Sequence, residues 1–151
     1  MNILNRTIKV CFWLLAFGSV SAQAVEKIHT GYFNNKAVSG YDVTAYFDQA
    51  KPVEGSSEYT FEYEGADWYF ASQSNLDKFK ADPTKYAPQY GGYCAWAMSN
   101  DKEAPGNPPY WTVYKGKLYL NYDQNVLETW RADKDAFIEK ADAYWANKDK
   151  E

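Results

Sequence analysis

The chain has 151 residues, 46% of them hydrophobic and 19% aromatic, with a formal net charge of −4. That length suits one domain with a modest core, and the overall negative charge argues against nucleic acid or anionic membrane as a partner of the chain as a whole. No phosphate-cradling Gly-rich loop, serine triad or dinucleotide fingerprint is present, so no enzyme class is indicated.

Residues 1–24 read as a signal peptide. Arg6 and Lys9 supply a positive start, and Val10 to Val20 form an apolar run shorter than the roughly 20 residues needed to span a bilayer. Ala22-Gln23-Ala24 then gives a small-residue cleavage signature. An uncleaved membrane anchor is the alternative. The expected mature chain begins at Val25, carries a charge of −6 once Arg6 and Lys9 are gone, and is exported, periplasmic or secreted, with no membrane association after cleavage. Cys11 and Met1 also leave, so Cys94, Met98 and His29 become the single cysteine, methionine and histidine. One cysteine cannot form an internal disulfide. In an oxidising compartment it must be buried, metal-bound or reactive toward another molecule.

Residues 25–36 form a polar lead-in in which Ile28, Tyr32 and Phe33 are available to dock on the domain, which is expected to cover 37–147. Ser39-Gly40 marks a turn, and the apolar and β-branched residues from Tyr41 to Phe47 fit a short strand or extended segment. Asp48 to Ser57, with Pro52 and Gly55, reads as a loop. Tyr59, Phe61 and Tyr63 then alternate with Glu58, Thr60, Glu62 and Glu64, which predicts a strand with one wet face. A turn at Glu64 to Asp67 leads to a second strand at Trp68-Tyr69-Phe70. Ser72 stands as an N-cap for a helix carrying Leu76 and Phe79, which Asp82-Pro83 ends.

The same hairpin-plus-helix unit recurs 51 positions later without a gap. Tyr59, Tyr63, Gly65, Gln73, Leu76, Ala81 and Asp82 match Tyr110, Tyr114, Gly116, Gln124, Leu127, Ala132 and Asp133. The Ser72 cap falls on Asp123, and Phe79 on Trp130. With two copies this is a pseudo-symmetric single domain and not a repeat array. A further helix follows Asp133, with Ala136, Phe137, Lys140, Ala141, Tyr144 and Trp145 at spacings of three and four. The fold expected is α+β: a small single domain of two antiparallel β-hairpin plus helix units related as a pseudo-repeat, with an additional C-terminal helix.

Between the units, Gly91-Gly92 lead into Tyr93 to Ser99, a stretch of helical composition. Cys94 and Met98 fall at i and i+4 on one face, and a thiolate beside a thioether is the donor pair that selects Cu(I). The same residues suit a buried packing role, since Ala95, Trp96 and Ala97 surround them with apolar bulk. A reactive or partner-linking thiol is the third reading. A Cys94–His29 nucleophilic pair would require the lead-in to reach the thiol. Most carboxylates lie on wet strand faces or at helix caps. Asp42, beside Tyr41 and Tyr46 in an apolar segment, is the one acid that stands out; it is a ligand candidate or a turn or cap acceptor, and Tyr41, Tyr93 and Trp96 are further ligand or structural candidates.

The residues from Ser39 to Phe47, Trp68 to Ser72, Phe79, Asp82 to Tyr86 and Gly91 to Ser99 together resemble an exported member of the YHS domain family, over about residues 37 to 145. The resemblance implies heavy-metal handling by a cysteine-bearing helix behind a hairpin. This chain departs from that pattern: the family's Tyr-His-Ser falls on Tyr63-Glu64-Gly65, and its cysteines fall on Ala71, Ser72 and Asn75. Two functions lead, with an enzyme, for which no catalytic constellation is found, as the third possibility. One is a binding module holding copper through Cys94 and Met98. The other is an interaction domain that meets a protein or small ligand through aromatic surface, with Cys94 structural.

Overall fold

Alternating rings build the first hairpin of the computed structural model, which describes residues 27–148. The proposed signal peptide and the first two residues of the lead-in lie outside the described residues. Strand β1 (Ser56–Tyr63) pairs antiparallel with β2 (Ala66–Phe70), Phe61 opposite Trp68 and Tyr63 opposite Ala66. Tyr59, Phe61 and Tyr63 turn toward the core, while Glu58, Thr60 and Glu62 stay exposed. Glu64 and Gly65 both adopt positive φ, 51° and 76°, the geometry of the tight turn that matches strand twist.

Helix α2 (Gln73–Ala81) starts where Ser72 Oγ accepts from the Asn75 amide at 3.2 Å, satisfying one of the free N–H groups of the first turn. It buries Leu76 and Phe79. The Phe79 ring meets Trp68, Phe70 and Tyr63 at 4.9, 5.1 and 5.7 Å between centroids. Asp82 then caps a short helix, α3 (Pro83–Tyr86), with proline at its start, where the missing N–H costs nothing.

The second unit repeats these bounds at a constant spacing of 51. Strands β3 (Asn107–Tyr114) and β4 (Lys117–Asn121) form a second two-stranded antiparallel sheet. Helix α5 (Gln124–Ala132) is capped by Asp123, which accepts from the Val126 amide at 2.8 Å. Helix α6 (Lys134–Asn147) is capped by Asp133 and replaces the short α3 with a long C-terminal helix. The Tyr119–Trp130 ring pair, at 5.1 Å, stands where Trp68–Phe79 stands in the first unit.

The repeat also extends upstream, at a spacing of 52. Val38, Ser39 and Gly40 form a left-handed 3-10 turn with φ of 49°, 53° and 83°; Tyr90, Gly91 and Gly92 repeat it at 56°, 59° and 87°. The Asp42 amide donates to Val53 O at 2.8 Å and the Cys94 amide to Ala104 O at 2.9 Å. The loop that follows is therefore one residue shorter in the second unit. The halves are joined by Tyr46, whose hydroxyl donates to Pro108 O at 3.0 Å, and by Leu118 and Leu120, which enter the first unit's core.

Three local expectations change. Tyr41 to Phe47 is not a strand: it holds α1 (Ala45–Asp48), because the Asp42 side chain accepts from Thr44 N and Oγ1 at 2.9 and 2.7 Å and turns the chain despite its β-branched residues. The helix expected over Tyr93 to Ser99 shortens to α4 (Ala95–Met98), with Cys94 at its N-cap outside helical geometry, at φ −59° and ψ 118°. Ile28 packs against the core, but Tyr32 and Phe33 do not; each is 94% exposed.

Candidate functional site

Cys94 sits where the second left-handed turn hands over to α4, and both it and Met98 are fully buried. The Cys94 thiol donates to Asn121 Oδ1 at 3.6 Å, and the same oxygen accepts the Trp96 amide at 3.2 Å. Burial pushes the thiol above its ordinary pKa; the amides of Ala97, Tyr122 and Trp96, which face the sulfur, offset part of that shift. A thiol held neutral in a sealed site is a weak nucleophile and a poor metal ligand. Tyr93 is nearly buried beside it, with Lys148 Nζ 4.5 Å from its ring centre. Trp96 is half-buried, and its carbonyl accepts from Ser99 Oγ and Asn100 Nδ2.

Asp42 occupies the matching position in the first unit. Its carboxylate is fully buried and accepts four hydrogen bonds, from Thr44 N, Thr44 Oγ1, Ala71 N and Asn75 Nδ2, the last two at 2.9 and 2.7 Å. It ties the α1 turn to the end of β2 and to α2. Its neighbour Tyr41 is half-buried, with its hydroxyl 3.4 Å from Glu54 Oε1.

The two centres are equivalent down to individual amides. Thr44 N and Ala71 N face Asp42; Trp96 N and Tyr122 N face Cys94. Cysteine lacks a carboxylate to receive the amide of Trp96, so Asn121 supplies the oxygen. Asn121 escaped the sequence reading. The signal was there: it places a polar residue at the end of the apolar Leu118-Tyr119-Leu120 run, where the first unit has Phe70.

The remaining candidates do not converge on the thiol. His29 reaches the second unit, its amide donating to Gly91 O at 2.8 Å, but its ring stacks on Tyr93 at 4.9 Å between centroids. Among the described residues no group of three or more His, Cys, Asp or Glu side chains could hold a metal ion. Two positions that the resemblance aligned with family cysteines, Ala71 and Asn75, here donate to Asp42. The donor set of a heavy-metal site therefore does not fit this chain at the family's positions.

The open chemistry lies on the surface. The lead-in crosses the second unit and forms a loop closed at its neck by the Thr30–Ala37 bridge. At the tip the rings of Tyr32 and Phe33 meet edge to face at 5.0 Å. A depression of about 520 Å³ lies beneath, lined by His29, Thr30, Gly31, Tyr32 and Pro105.

Comparison with protein families matches residues 44–90 to the YHS domain. The match covers α1, both strands of the first hairpin, α2 and α3, and ends at the left-handed turn that opens the second unit. No curated protein and no solved structure gives a significant match.

Proposed function

We propose that the protein is an exported, non-catalytic YHS-type binding module in which Cys94 is a packing residue and docking occurs through the aromatic lead-in loop. One observation carries the reading: the one thiol among the described residues is sealed and hydrogen-bonded to Asn121, whereas Tyr32 and Phe33 stand 94% exposed. Buried thiols behave as small hydrophobes, while bare adjacent rings cost solubility unless something covers them.

Two measurements test it. Labelling of native protein with a thiol reagent is expected to proceed orders of magnitude more slowly than labelling in denaturant. Anaerobic Cu(I) competition against a chromogenic chelator is expected to give the same affinity for the parent, Cys94→Ser and Met98→Leu. A drop in affinity in both variants would sink this reading in favour of copper handling through the Cys94–Met98 pair.

A further inference from the structure

The loop from Thr30 to Ala37 differs from the rest of the molecule in both polarity and charge. Its tip carries two aromatic rings, each 94% exposed, that meet edge to face. Residues 27–41 contain Lys27 and Lys36 and no carboxylate, while acidic residues outnumber basic ones over the rest of the described chain. Lys27 is exposed, and Lys36 lies 4.9 Å over the Tyr69 ring at the base of the loop. The loop and its base thus carry two lysines and an exposed aromatic pair on an anionic body, with Glu64 lining the same depression as Lys27 and Glu54 the same one as Lys36.

Area decides between kinds of partner. A stable protein interface buries about 800 Å² on each side, whereas two rings offer roughly 300–500 Å². A lipid interface needs no complementary groove, and Tyr with Lys is the combination favoured at headgroup level. The chain also leads there: at most about 40 Å of extended backbone separates Val20, the end of the apolar run, from Tyr32. No helix among the described residues is long and apolar enough to cross a membrane, so any contact made by this region is peripheral.

We infer that the Thr30–Ala37 loop docks on an anionic lipid surface, with Tyr32 and Phe33 inserted at the headgroup level and Lys27 and Lys36 supplying charge attraction. This rests on the reading of the aromatic loop as the docking surface. It gives the lipid a local partner even though the whole chain is anionic.

The test is co-sedimentation of the protein, with the N-terminus its exporting host leaves, on sucrose-loaded vesicles of phosphatidylcholine with or without 30% phosphatidylglycerol. The apolar run, if retained, contributes equally to every variant. The parent is expected to bind anionic vesicles and to release as salt rises. Tyr32→Ser with Phe33→Ser should bind at least tenfold more weakly with an unchanged unfolding midpoint, and Lys27→Gln with Lys36→Gln should flatten the salt dependence. Equal binding by the parent and the aromatic double variant overturns the inference. So does a parent that stays in the supernatant, which turns the loop toward a protein partner. Rapid labelling of Cys94 in the same preparation would instead overturn the underlying reading of the module.

Discussion

The two units reach the same backbone by different chemistry. In the first, a buried carboxylate satisfies every donor that faces it, and the aromatic core beneath contains Phe70 and Phe79. In the second, the carboxylate becomes a thiol, Phe70 becomes Asn121 and Phe79 becomes Trp130. Those replacements leave Asn121 Nδ2 and Trp130 Nε1 buried without hydrogen-bond partners, at a usual cost of about 1–3 kcal/mol per orphaned group. The second unit therefore keeps the geometry with poorer polar satisfaction. The family match, confined to residues 44–90, falls on the better satisfied unit.

The largest expected effect is at Asp42. Asp42→Ala strands the amides of Thr44 and Ala71 together with the Asn75 side chain, and should cost about 3–5 kcal/mol in chemical denaturation. Cys94→Ala removes a weak donor and little volume, and leaves Asn121 still accepting from Trp96; it should cost about 1–2 kcal/mol. Similar costs for both would show that the pseudo-equivalent centres are energetically equivalent as well.

Gly91 distinguishes the units in a second way. A Cβ built there would fall 1.8 Å from Lys27 O, and its φ is +59°. Ser39, its counterpart, adopts nearly the same φ but is exposed, with no chain lying across it. Gly91→Ala should cost about 1–3 kcal/mol by overpacking and speed hydrogen exchange at the His29 amide, which donates to Gly91 O. Ser39→Ala should fall within about 0.5 kcal/mol of the parent. Unchanged His29 exchange in Gly91→Ala would mean that the lead-in is held elsewhere.

Much of this architecture was readable along the chain, because its causes are local. The period of two at Tyr59, Phe61 and Tyr63 gave the first hairpin. Ser72, Asp123 and Asp133 each cap the helix they precede, and the 51-residue spacing holds for strands and helices alike. The misses have mixed causes. Helix α1 is turned locally by Asp42 against Thr44, a cue outweighed by the β-branched run, and only the fold shows that Ala71 and Asn75, about thirty positions away, hold that carboxylate in place. The upstream half of the repeat, with Gly40, Tyr41 and Ala45 matching Gly92, Tyr93 and Ala97, is shifted by one residue, so alignment at 51 hides it. Helical spacing puts Cys94 and Met98 on one face and leaves both a ligand pair and a packing role open; nothing near them in sequence announces Asn121 as the thiol's acceptor. Tyr32 and Phe33 read as docking residues by composition, and only the fold shows that they face outward.

The smallest effect is the response of the second unit to alkali. The folded pKa of Cys94 is raised above its ordinary value of 9.0, chiefly by burial. The folded state thus holds the neutral thiol while the unfolded chain ionises. The stability that this difference contributes is fully present below pH 9 and declines as pH rises toward the folded value. Tyr46, Tyr90 and Tyr119 are also raised by burial, Tyr119 to about 12, but from a starting value of 10.0. Their contribution begins to fall about one pH unit later. Denaturation midpoints of the parent should therefore decline from about pH 9, and those of Cys94→Ala only from about pH 10. Parallel curves for the two proteins between pH 8.5 and 9.5 would mean that the thiol ionises as easily in the folded protein as in the unfolded chain, and that the site is not sealed.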